Sequence, residues 1–85
     1  MIVNIAGYRF IDINNPGEMK IKFLDKCLEL ELKGTIYFSD NGINFFIAGT
    51  KDMIDKYMYF MELDERLVGI PLKTSYTGYQ PFRRM

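Results

Sequence analysis

The stretch from Lys33 to Gly49, KGTIYFSDNGINFFIAG, constrains this chain more than any other. Gly34-Thr35-Ile36-Tyr37-Phe38 and Ile43-Asn44-Phe45-Phe46-Ile47 are rich in the β-branched and aromatic side chains that pack on a pleated surface. Between them lies Ser39-Asp40-Asn41-Gly42. Asn-Gly predicts a type I′ hairpin turn, because both central positions of that turn need φ > 0. A lone hairpin is marginal in water, so the flanking segments must cover one of its faces.

They have the patterns to do so. Ile2 to Ile11 reads as a strand with Val3, Ile5 and Gly7 on one face and Ile2, Asn4, Ala6, Tyr8 and Phe10 on the other. Its apolar start suits a central strand. Asn15-Pro16-Gly17-Glu18 predicts a helix start, with Asn15 as N-cap, Pro16 in the first turn and Glu18 reaching back as in a capping box. The helix is expected to reach Leu30 or Glu31, burying Met19, Phe23, Leu24, Cys27 and Leu28. Thr50 is expected to cap a second helix with Met53, Ile54, Tyr57, Met58 and Met61 inward. Leu63 to Gly69 reads as a loop, and Ile70 to Tyr76 as a last strand whose Pro71 belongs at its start or on an edge.

The order β-α-β-β-α-β predicts an α+β, ferredoxin-like (acylphosphatase-like) sandwich over residues 1–76: a four-stranded antiparallel sheet with both helices on one face. Right-handed crossovers give the strand order 4-1-3-2. Residues 77–85 are expected to form a tail or linker towards a further domain.

Composition excludes more than it assigns. The single cysteine, Cys27, forbids an intramolecular disulfide, and the absence of histidine removes Ser-His-Asp and Cys-His chemistry and the usual zinc sets. Cys27 reads as a small core residue, so no catalytic residue, metal ligand or cofactor is expected within the chain. A reducing cytoplasm fits the cysteine usage. No signal peptide is expected from MIVNIAGYRF, and no apolar run is long enough for a membrane span. Lys+Arg and Asp+Glu number 11 each, so any nucleic-acid contact must come from a local patch.

The face of the sheet without helices is where such a patch would lie. If Ile43, Phe45 and Ile47 face the core, Asn44 and Phe46 look outward beside Tyr8, with Tyr37 and Thr35 as further candidates. Exposed aromatics on this fold stack RNA bases in recognition modules, or they serve cross-strand packing or cover by a neighbouring domain. The RNA-recognition signature is absent: Lys33-Gly34-Thr35-Ile36-Tyr37-Phe38 only begins like it. Arg83 and Arg84 beside Phe82 are candidates for phosphate contact or for a solvated linker.

MIVNIAGYRF, LKGTIYFSDNGINFFIAG and KTSYTGYQPFRRM together resemble the N-terminal, acylphosphatase-like domain of the rhodanese-related tRNA uridine hydroxylase family. The resemblance spans the chain and is most specific at Lys33-Gly34-Thr35-Ile36, Gly42-Ile43-Asn44, Ala48-Gly49, Ser75-Tyr76 and Pro81-Phe82-Arg83-Arg84. It implies a protein that hydroxylates the wobble uridine of tRNA in an oxygen-dependent reaction, with a following rhodanese-like domain that holds the family's active-site cysteine, which Cys27 does not replace. This chain would then be non-catalytic, holding tRNA or shaping that domain. The candidate contact residues are Tyr8, Tyr37, Asn44, Phe46, Arg83 and Arg84. A structural or dimerisation module without RNA contact is the alternative. Acylphosphatase activity is not expected, because no Gly-rich anion loop follows the first strand, Arg9 lies inside that strand, and Asn44 is on the third strand and not the second.

Overall fold

The computed structural model describes residues 1–85. β1 (Ile2–Phe10), α1 (Pro16–Glu29), β2 (Lys33–Ser39), β3 (Gly42–Gly49), α2 (Lys51–Glu62) and β4 (Leu72–Thr77) follow in that order, with a 3-10 turn over Glu65–Leu67. All strand pairs are antiparallel and the sheet order is β2-β3-β1-β4, the expected ferredoxin-like topology.

Strand alternation decides which face is buried. Val3 and Ile5 of β1, Phe38 of β2 and Ile43, Phe45 and Ile47 of β3 join Met19, Phe23 and Cys27 of α1 and Ile54, Tyr57 and Met61 of α2 in one core. Phe23 is its aromatic hub, meeting Phe38, Tyr57 and Phe60 edge-on at centroid distances of 5.1, 6.2 and 4.9 Å. Leu28 departs from the expected stripe: it is exposed, because the buried set of α1 recurs every fourth residue at Met19, Phe23 and Cys27 and leaves it on the flank. The helix also ends sooner than its pattern suggests, at Glu29, where Glu31 takes φ 56° to reverse the chain.

The hairpin turn is not of type I′. Ser39 pairs with Gly42, so Asp40 and Asn41 are its central residues, and neither has positive φ. Their carbonyls accept from the N–H groups of Ile13 and Ile11, both at 3.0 Å, and the Asn41 N–H donates to Ser39 Oγ at 3.2 Å. Those bonds hold the turn to the segment after β1. Gly42 takes the positive φ instead, and a Cβ there would lie 2.1 Å from the Arg9 carbonyl oxygen.

Both helix caps stand where expected but are not closed by side chains. The Asn15 and Thr50 carbonyls accept from Met19 and Ile54 N–H, yet neither side chain makes a capping bond. Asn15 Oδ1 is taken by the Arg66 guanidinium at 3.1 Å, a charge-assisted partner that outcompetes the backbone donor. Arg66 also grips Asp64, whose carboxyl is held below the usual range chiefly by that hydrogen bond. The last strand begins at Leu72 and not Ile70; Ile70 is in the core, and Pro71 precedes the edge strand it would otherwise interrupt.

Residues 78–85 lie back on the domain. Gln80 Nε2 donates to the Ala48 carbonyl at 3.0 Å, the Gly34 N–H donates to the Arg84 carbonyl at 3.1 Å, and Met85 packs against the core. Ala48 has the outward parity of Asn44 and Phe46 yet is fully buried, which fits a tail crossing that end of the sheet.

Candidate nucleic-acid interface

Period-two alternation sends one half of each strand to the face that carries no helix. Register then sets the neighbours. Tyr37 of β2 pairs with Asn44 of β3, and Asn44 with Tyr8 of β1, so two tyrosines flank one amide across about 10 Å, two strand spacings. One step along, Thr35, Phe46, Ala6 and Lys73 form the next row. Tyr8, Tyr37 and Phe46 are 64%, 66% and 54% exposed, far from core aromatics. The structure thus brings four of the six candidate residues together on one surface.

Two hollows flank the Tyr8–Asn44 pair. One, of about 330 Å³, lies where Gly42 and Asn44 leave room between Tyr8, Phe10 and Tyr37. The other, of about 360 Å³, lies over Ala6, between Phe46 and Lys73. Both are within the usual size range of small-ligand sites, about 300–1,000 Å³. The Asn44 side chain has no hydrogen-bond partner within the chain, so its donor and acceptor are free above the sheet.

Charge is distributed unevenly despite the neutral total. None of the 11 Asp and Glu lies on a strand; all are in helices, turns and connections. Lys33 and Lys73 are the charged side chains with outward strand parity. Arg83 and Arg84 are not in the aromatic rows. Their side chains have no polar partner, and the Arg84 carbonyl bond to Gly34 sets them at the β2 margin of the face.

Phe10 and Lys73 also lie on this face, although the sequence alone does not single them out. Phe10 shares Tyr8's parity, is exposed, and meets the Tyr8 ring edge-on at 5.7 Å, so alternation places it here. Lys73 needed the β1–β4 register, which no local pattern carries.

Arg9, the arginine of β1, points to the other side, and its Nη1 donates to the Arg66 and Val68 carbonyls at 3.1 and 2.7 Å. It is a strut for the 3-10 turn. The Cys27 thiol is buried and pushed up to about 12 by desolvation, so it has no thiolate to offer at neutral pH. No cluster of His, Cys, Asp and Glu could hold a metal ion. No helix is long and apolar enough to cross a membrane.

Comparison with known proteins gives a consistent result. A tRNA uridine(34) hydroxylase of Cupriavidus pinatubonensis is 40% identical over 84 residues, which is 99% of this chain and 30% of that protein. Another, of Bordetella parapertussis, is 34% identical over 84 residues, 99% of this chain and 35% of that protein. The chain therefore spans about a third of the length of the curated relatives it matches. Among solved structures, the de novo designed protein Ferredog-Diesel superposes with a TM-score of 0.63 at 17% identity, covering 89% of this chain and 85% of that one, and it supports the fold alone. The family described as UPF0176 acylphosphatase like domain matches residues 2–85, and the chain belongs to it.

Proposed function

We propose that this chain is the non-catalytic, RNA-facing domain of a tRNA-modifying enzyme. In this reading the complete protein hydroxylates the wobble uridine of tRNA, and the chemistry belongs to a following rhodanese-like domain. The domain works in the cytoplasm and holds tRNA against that catalytic unit through the open sheet face, with residues 77–85 leading towards it.

The observation that carries the reading is the aromatic, carboxylate-free sheet face. Phosphate contact is repelled by carboxylates and aided by nearby cations, and aromatic side chains give bases something to stack on. The zero net charge does not oppose this, because the acidic residues are all off the strands. The names of the relatives supply the class of nucleic acid.

The test is binding of bulk tRNA to the 85-residue chain at two salt concentrations, with hydrolysis of an acyl phosphate measured in parallel. Salt-sensitive tRNA binding without hydrolysis is the expected outcome. Failure to bind tRNA even at low salt would leave only the structural or dimerisation role.

A further inference from the structure

The two hollows make a finer reading possible, one that rests on the RNA-facing role just proposed. We infer that the open face is a site for two successive unpaired nucleotides, one base in each hollow, with Asn44 between them.

The geometry favours single-stranded over paired RNA. In an A-form duplex the base faces are stacked on one another and closed to side chains, whereas unpaired bases can be splayed onto aromatic rings. Here the Tyr8, Tyr37 and Phe46 rings do not pack on one another; Tyr8 meets only Phe10, edge-on. Tyr37 and Tyr8 are separated by Asn44, and small residues form the floors: Gly42 under the first hollow, Ala6 under the second. The first base stacks against Tyr37 or Tyr8 and the second against Phe46. Both hollows share Tyr8 and Asn44, so their occupants are neighbours. The Asn44 amide presents a donor and an acceptor to the base edges.

Charge complementarity selects the occupant. Lys73 borders the second hollow, Lys33 lies one row beyond Phe46, and no strand carboxylate opposes a phosphate. An acidic polymer with flat apolar faces fits such a surface. A protein segment can pair with the free amide too, but a polyanion is the occupant that gains from Lys33, Lys73 and the missing carboxylates.

The test uses fluorescence anisotropy with a labelled short oligouridylate, a duplex RNA of equal length and bulk tRNA. Wild type is compared with Tyr37→Ala, Phe46→Ala, Tyr37→Phe and, on the helical side, Tyr59→Ala. Wild type is expected to prefer the single strand. Tyr37→Ala and Phe46→Ala are each expected to weaken oligouridylate binding about tenfold, from the loss of one stacking platform. Tyr37→Phe keeps the ring and the affinity, and Tyr59→Ala changes nothing. Unchanged oligouridylate affinity in both alanine variants, with tRNA still bound, overturns the stacking site but leaves the RNA-facing role; it is also what a protein occupant of this face would give. Absence of tRNA binding by wild type overturns both.

Discussion

Gly34 illustrates how much one residue determines. Its φ is +133°, and a Cβ would lie 2.0 Å from the backbone oxygen of Phe46, which cannot swing aside as a side chain could. Gly34→Ala therefore combines backbone strain with a clash in the β2–β3 ladder. It is expected to cost about 3 kcal/mol or more, read as a lowered urea midpoint. Tyr57 makes the opposite case. Its ring is wholly buried against Phe23 and Phe45, but its hydroxyl has no hydrogen-bond partner. Tyr57→Phe keeps the ring and removes an unsatisfied polar atom, so it is expected to stabilise the fold by up to about 1 kcal/mol. A loss of stability would show that the hydroxyl is satisfied in solution.

At the scale of elements, positions were legible and bonds were not. Apolar spacing located both helices, and β-branched and aromatic runs around a turn located the hairpin strands, because those patterns reflect burial; β4, with no buried residue, carries no such pattern. The caps were right in place and wrong in chemistry. Local sequence gives Asn15 and Thr50 the residue types of N-caps, but whether a side chain turns back depends on what else approaches it, and for Asn15 that is Arg66 from 51 residues away. The hairpin failed in the same manner. Asp40-Asn41-Gly42 favours a I′ turn locally, but the backbone donors of Ile11 and Ile13 reward a conformation without positive φ at Asn41. One consequence is measurable. A capping Thr replaced by Ala usually costs about 1 kcal/mol, whereas Thr50→Ala is expected to cost below about 0.5 kcal/mol by chemical denaturation, because there is no capping bond to lose.

Over the whole molecule, the neutral total hides a division between a carboxylate-free sheet and mixed-charge helices and loops. Sequence alternation was enough to gather Tyr8, Tyr37, Asn44 and Phe46 on the outer face. The tail was not legible as part of the fold, since the Gln80–Ala48 and Gly34–Arg84 contacts join residues 32 and 50 positions apart and follow no period. Buried acids give the fold a pH signature. Desolvation raises Cys27 from 9.0 to about 12 and raises Tyr57 as well, so the folded chain keeps protons that the unfolded chain releases. Stability is expected to be unaffected by these groups below pH 9.0 and to fall as pH rises from there towards about 12. Urea midpoints across that window check it; a flat or rising profile would mean the two groups ionise as easily folded as unfolded.

The most direct measurement of the central claim is a residue-resolved NMR titration of the chain with bulk tRNA, at low and at near-physiological salt. Shifts concentrated on Tyr8, Tyr37, Asn44 and Phe46, with weaker ones at Arg83 and Arg84, and all fading as salt rises, are the expected result. Shifts confined to the helical side, or none at either salt, would contradict a tRNA-binding sheet face.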